Sequence, residues 1–424
     1  MGISVRKISW ASGLAAALFC LPGLAVAADE KPGDRFEISA DDLPAPYASK
    51  SAVTFTRVTK RLPGDHLNLP EGFEATLFAQ GLSQPRWLAI AKNGDVFVTE
   101  PDSQFRKVVD GNKITVLRDS DGDGVADMRA TFARDFKKPM GIRFVEGALL
   151  VADTEGVWRL PYVEGALKSE MRVRLTPENV FGKKVGMHYQ RVLALGPRGV
   201  YMYVGVGSTA NVVEDPLPHA TIQRFLLDGT GQMTFASGLR NPIGLAFYPG
   251  TDDLYTVVAE RDTYGDDLVP DFLTRVKEGA FYGWPYAYAG THPDPKYGGK
   301  RPDLVAQSRV PDVLFQAHST PIGLIFYQGK QFPQDYRGDA FVSLHGSWNK
   351  AVPTGFKIVR VRFKDGRPIG GYENFATGFL DMSGEAPRVW GRPAGFAEMP
   401  DGSLLVAEDG NDTIWRISYR GADD

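Results

Sequence analysis

Asn241-Pro242-Ile243-Gly244-Leu245-Ala246-Phe247, followed shortly by Asp253-Leu254-Tyr255-Thr256-Val257, is the pattern on which this chain is built. A loop carrying Pro and Gly leads into an apolar strand, a turn and a second apolar strand. Downstream, Thr320-Pro321-Ile322-Gly323-Leu324-Ile325-Phe326 precedes Ala340-Phe341-Val342-Ser343, and Arg392-Pro393-Ala394-Gly395-Phe396 precedes Leu404-Leu405-Val406-Ala407. Upstream, Lys138-Pro139-Met140-Gly141-Ile142 precedes Ala148-Leu149-Leu150-Val151-Ala152. Two looser copies are Pro85 to Ile90 before Val96 to Thr99, and Arg191 to Leu195 before Tyr201 to Val204. Six copies lie between residues 73 and 419, at about 58 residues each, enough for a four-stranded blade with loops. The alternating strand Asp412 to Ile417 ends the series.

This repeat predicts an all-β fold, a six-bladed β-propeller of four-stranded antiparallel blades in which each blade covers its neighbour's apolar face. A non-repetitive β-sandwich or mixed fold is the alternative. Gly 47 and Pro 29 in 424 residues agree with many turns and few long helices. Asn93-Gly94 and Asp401-Gly402 supply residues suited to positive φ at hairpin turns.

The ends read differently. Arg6 and Lys7, the apolar run Leu14 to Leu21, and Ala25-Val26-Ala27 form a secretory signal over residues 1–27. Residues 28–70 are rich in Pro, Asp and Ser and read as an N-terminal extension over the domain; 71–424 is the propeller. Cys20, the single cysteine, leaves with the signal. The mature chain then has no disulfide, no thiolate metal site and no C-x-x-C-H haem attachment. A net charge of −3 argues against a nucleic-acid partner, and no later segment is apolar enough to span a membrane. Nucleotide-binding glycine motifs, the G-x-S-x-G elbow and H-E-x-x-H are absent.

In a propeller, the loops at one end converge on the central channel, so chemistry is sought in the Pro/Gly loops. His188 precedes the first strand of one copy. It is either a hydrogen-bonded loop histidine or a general base. Arg240 and Asn241 occupy the matching loop of the next copy, and Arg191, Lys350 and Arg392 add positive charge to the same face. Together these cations suit a ligand rich in carboxylates. Two acidic runs suggest calcium. Asp119, Asp121, Asp123 and Asp127 stand at positions 1, 3, 5 and 9 of an EF-hand-like loop with Gly124 at 6, though Ala130 replaces the usual Glu at 12. The second run, Glu260 to Asp267, directly follows a strand.

Leu239-Arg240-Asn241-Pro242-Ile243-Gly244-Leu245, Gly265-Asp266-Asp267 and Phe281-Tyr282-Gly283-Trp284-Pro285 resemble the pyrroloquinoline-quinone (PQQ) dependent soluble sugar dehydrogenases. The nearest branch is the L-sorbosone and pyranose dehydrogenase-like group, which His345-Gly346-Ser347-Trp348-Asn349 and Gly391-Arg392-Pro393 also fit. The resemblance implies a six-bladed propeller holding PQQ and calcium on its top face. It makes His188 the general base, Arg240 the residue that polarises the quinone, and Asn241 a cofactor ligand. Backbone carbonyls at Arg261-Asp262 would bind the cofactor calcium, and Asp267 a neighbouring calcium. Lys350 and Arg392 would pair with PQQ carboxylates, with His345 the other candidate for the lysine's place. Met187 stands where the glucose dehydrogenases carry an Asp before the base.

The expected activity is a periplasmic quinoprotein dehydrogenase acting on a sugar or related aldehyde, hemiacetal or polyol. Electrons would pass to a periplasmic acceptor such as a c-type cytochrome. The alternatives are a calcium-dependent lactonase-type propeller hydrolase and a non-catalytic binding propeller.

Overall fold

In the computed structural model, which describes residues 30–103 and 106–421, six four-stranded antiparallel sheets are arranged as the blades of a propeller. The innermost strands are Leu88–Ile90, Gly141–Val145, Arg191–Leu195, Pro242–Phe247, Pro321–Phe326 and Pro393–Glu398. Each touches the next, and the last touches the first, so the ring closes. The six repeats seen in the sequence are these six inner hairpins.

Packing around the channel explains the Pro-x-Gly repeat. A β-carbon on Gly244 would lie 3.0 Å from the Ile322 carbonyl oxygen of the next blade. On Gly323 it would strike the Ala394 carbonyl oxygen at 2.2 Å, and on Gly395 that of Arg86 at 2.3 Å. Adjacent inner strands therefore approach more closely than any side chain allows, which requires Gly. At the same point, blades four to six each shift register between the Pro and the residues that follow. Such bulges tilt a strand's start and re-aim the loop residues before it.

Interleaved aromatics fill the spaces between blades. Phe97, Phe132, Phe144 and Tyr162 meet edge to face or tilted between blades one and two. Phe73, Phe332, Phe341 and Phe375 do the same between blades five and six. A fully buried Phe contributes about 1.5–3 kcal/mol by transfer alone, so these wedges supply much of the cohesion between sheets.

The sixth blade shows a closure that the repeat did not reveal. Its third strand, Thr413–Tyr419, is not the outermost. Phe73–Ala79 pairs along it from the beginning of the propeller. This joins the two ends of the ring in one sheet, so the first and last blades cannot part without breaking a ladder.

Residues 30–70 run along blades five and six and, at Tyr47 and Ser49, reach the Tyr264–Asp266 loop of blade four. Arg35–Phe36 adds a fifth strand to blade five through Glu373 and Tyr372. Further on, the Thr54 N–H donates to the Trp348 carbonyl, and Val58 bridges Val389. The signal assigned to residues 1–27, with Cys20, lies outside the described residues. Among the described residues no helix is long and apolar enough to cross a membrane.

Candidate active site

The loops that enter the innermost strands and those that leave the second strands lie at one end of the antiparallel blades. His188, Arg240, Asn241, His345, Arg392 and Asp409 all lie on them. Ser208 ties the first two together. Its backbone N–H donates to the Arg240 carbonyl at 2.8 Å, and its Oγ lies 2.8 Å from His188 Nδ1. Gly207 marks how close the parts are: a β-carbon there would fall 2.4 Å from His188 Cβ and 2.6 Å from Asn241 Oδ1.

The tautomer of His188 follows from its partners. Ser208 Oγ spends its proton on the Ala210 carbonyl, so Nδ1 must donate, to that oxygen and to the Ser208 carbonyl at 3.1 Å. Nε2 therefore carries a lone pair, and it accepts no hydrogen bond among the described residues. Burial, then the nearby Arg240, hold the pKa well below the usual histidine value, so the imidazole is neutral.

Arg240 is almost fully buried and immobilised. Its Nε donates to the Asn211 carbonyl, Nη1 to the Ala259 carbonyl, and Nη2 to Asn211 Oδ1 and Asp262 Oδ2. Of the five guanidinium protons, one on Nη1 remains for a ligand. Asn211 was not singled out in the sequence, yet it is the hub here. Besides its bonds to Arg240, it accepts from the Asp262 N–H, donates to the Asp262 carbonyl, and accepts from Trp284 Nε1 on its own carbonyl. His318 holds Asp262 from the other side at 3.4 Å and contacts the Gly265 carbonyl through Nε2. Burial works against charging His318, but Asp262 outweighs it and raises the pKa.

Across the channel, blades five, six and one build a second cationic group. Arg392 donates to His345 Nδ1 at 2.7 Å. An arginine can only donate and a carboxylate only accept, so the imidazole proton sits on Nε2 and goes to Asp409 Oδ1 at 2.9 Å, and Arg86 Nη1, 3.3 Å from the same nitrogen, is a charge contact and not a hydrogen bond. Asp409 Oδ2 pairs with Arg86 Nε at 3.3 Å. Burial and the Arg392 charge push the His345 pKa down to about 3. Burial would raise that of Asp409, but Arg86 and His345 lower it strongly. The cluster is two guanidinium cations, a neutral imidazole and one carboxylate. Arg86 and Asp409 escaped the sequence reading because they come from different blades and no local motif joins them.

Several buried polar atoms at this end have no protein partner among the described residues. They include donors Arg191 Nε and Nη2 and Arg392 Nε, and acceptors Asn241 Oδ1 and Glu260 Oε1. Arg191 is fully buried; among the described residues its only donations are to the carbonyls of His188 and Gln190, and burial lowers its pKa to about 10. Unpaired buried donors and acceptors are costly, so their concentration on one face points to a ligand that satisfies them.

Lys350 and Asp267, assigned to cofactor and metal, are paired with each other at 2.6 Å, with the Asp266 carbonyl also on the ammonium. A lysine already neutralises that carboxylate, and neither residue is carried into the proposed site. Of the two candidates for the family lysine, His345 is the one that meets Arg392. The Arg261 side chain is buried in ion pairs with Glu260 and Asp294, so it braces the turn whose backbone carbonyls are the expected calcium ligands. Asp119, Asp121 and Asp123 do converge, but on the loop between Lys113–Arg118 and Met128–Ala133, at the opposite end of blade one. Asp127 stands apart and holds Ser120.

The family described as Glucose / Sorbosone dehydrogenase matches residues 82–347. The chain belongs to this family. A TrAA12-like family overlaps its end, at residues 300–420. In fold, the chain is similar to the iodide structure of the Trichoderma reesei Carbohydrate-Active Enzymes Family AA12 protein. That TM-score is 0.69, with 20% identity over 85% of this chain and 99% of that one. The holo form of the pyranose dehydrogenase PQQ domain from Coprinopsis cinerea gives a TM-score of 0.68, with 18% identity over 86% and 100%. A curated relative, an uncharacterized protein of Borreliella burgdorferi, is 25% identical over 370 residues, which is 83% of this chain and 91% of that protein.

Proposed function

We propose that this chain is a quinoprotein that oxidises a sugar or related aldehyde, hemiacetal or polyol, using PQQ and calcium bound at the loop-rich end of the channel. The observation that carries the reading is the set of buried donors without partners, Arg191 and Arg392, facing the same loops as a neutral histidine. PQQ is a tricarboxylate, and guanidinium groups bind carboxylates through paired N–H donors. The Coprinopsis neighbour is a holo form of a PQQ domain, and the Trichoderma protein is also known as a calcium structure.

Arg86, Arg191 and Arg392 would hold the carboxylates, and Asn241 would lie beside the ring. Glu260 Oε1, Asn241 Oδ1 and the Arg261-Asp262 backbone offer the oxygen ligands a hard cation needs, although the Asp262 carbonyl also receives Asn211 and Thr263. The Asp119 group is the proposed site of a second, structural calcium.

Bound PQQ supplies a two-electron acceptor for hydride. The protein's part is proton transfer and electrostatics. His188 Nε2 takes the substrate hydroxyl proton while Ser208 holds the ring by Nδ1. Burial and Arg240 keep that nitrogen free of a proton beforehand. Arg240, clamped by Asn211 and Asp262, offers its one spare Nη1–H to a developing oxyanion without reorganising.

Export by the signal at residues 1–27, a periplasmic location and a c-type cytochrome as electron acceptor belong to the same proposal. With no cysteine after Cys20, the mature chain holds no covalent haem and must pass its electrons outward. The test is reconstitution of the apoprotein with PQQ and calcium, followed by dye reduction on a sugar panel. Reduction that requires both additions supports the reading; sugar turnover without PQQ refutes it.

A further inference from the structure

A polar cleft of about 800 Å³ opens beside the candidate base. Gly186 and Tyr189 line it, and His188 stands between them in the chain. Its walls come from the loops of the first three blades, at the same end as the active site. The volume falls high in the range of about 300–1,000 Å³ typical of ligand pockets, more than one sugar ring fills.

Its chemistry is mixed and nearly balanced in charge. Lys137, Lys138, Arg174 and Lys183 face Asp102, Glu155 and Glu178, with Asn112 and Asn179 among them. A polyanion would call for one sign of charge. Alternating donors and acceptors instead match vicinal hydroxyls, each of which both donates and accepts. The cleft is also built rather than incidental. Asn112 Oδ1 receives the backbone N–H groups of Asp102 and Lys138, joining two of its loops. Lys138 pairs with Asp102 and lies over the Tyr189 ring at 4.9 Å from its centroid. Lys138 adopts left-handed backbone, with φ of 56°, at a position where asparagine or glycine would be the ordinary choice. Such conformations are costly for other residues and gather at functional sites.

We propose that this cleft is a subsite for a neutral oligosaccharide whose terminal unit reaches His188, so the preferred substrate is longer than a monosaccharide. The inference rests on the proposed sugar oxidation. Because Lys138 covers the one aromatic ring that lines the cleft among the described residues, binding here works through hydrogen bonds rather than stacking.

The test uses the Glu178→Ala/Lys183→Ala double variant, in which both side chains are exposed and make no side-chain bond among the described residues. Wild type and variant, loaded with PQQ and calcium, are assayed on glucose and on α- and β-1,4-linked gluco-oligomers of two to four units. Wild type is expected to show a lower KM for oligomers than for glucose. Loss of hydrogen bonds to charged groups should raise the oligomer KM about tenfold in the variant, with kcat and the glucose KM unchanged. Calorimetric titration of the unloaded protein with the same oligomers reads the cleft independently of turnover. Oligomer binding without oxidation of any sugar would refute the proposed reaction but retain the subsite. Equal affinity for glucose and oligomers, an unchanged variant, or preference for an acidic oligosaccharide overturns the subsite.

Discussion

Acidification should destabilise the unliganded protein through His345, and the size of the effect follows from its partners. Nδ1 accepts from Arg392 and Nε2 donates to Asp409, so a second ring proton would have to displace the Arg392 bond and add charge beside two guanidinium groups. The folded pKa is about 3 against 6.5 for the unconstrained side chain. Between these values the unfolded chain binds the proton and the folded one does not. Stability from this group is therefore complete above pH 6.5 and is lost as pH falls toward 3. Linkage between pH 7.5 and 4.5 gives a loss of about 2.5–3 kcal/mol from this one residue. Other histidines and carboxylates also titrate, so the quantity to measure is a difference. His345→Gln keeps a donor and an acceptor but cannot titrate. Urea unfolding of both proteins at the two pH values should show a pH-dependent loss smaller in the variant by that amount. An identical loss in both would refute the tautomer assignment and the network built on it.

Two further substitutions probe the same end of the channel. Asn211→Ala removes the side-chain bonds to Arg240 and to both backbone groups of Asp262; chemical denaturation should show a loss of about 2–4 kcal/mol, with turnover reduced in the folded fraction. Gly207→Ala puts a β-carbon into His188 and Asn241; circular dichroism should report a folded protein, destabilised by about 1–3 kcal/mol, whose turnover falls at least tenfold.

The inner hairpins were legible in the sequence for a physical reason. Gly244, Gly323 and Gly395 each meet the neighbouring blade's backbone, so the same geometric demand leaves the same local pattern every time. His188 and Arg240 were legible because they sit directly before those hairpins. Phe73–Ala79 was not placed, since its partner is Thr413–Tyr419 and an outer strand carries no Pro-x-Gly mark. Asn211 lies in a loop with no repeated form, and its importance comes from what folding brings around it. The same holds for Arg86 and Asp409, which meet His345 and Arg392 only when blade six closes on blade one. The pairing of Lys350 was not legible, because its place in the loop suggests a free cation, while Asp266 and Asp267 reach it from another blade.

The most direct measurement on the central claim is His188→Ala in the reconstituted enzyme, with PQQ affinity by spectroscopic titration and sugar oxidation by stopped flow. The account expects PQQ affinity like that of the unaltered protein and no sugar oxidation. Undiminished oxidation, or lost PQQ affinity in a protein that remains folded, would contradict it.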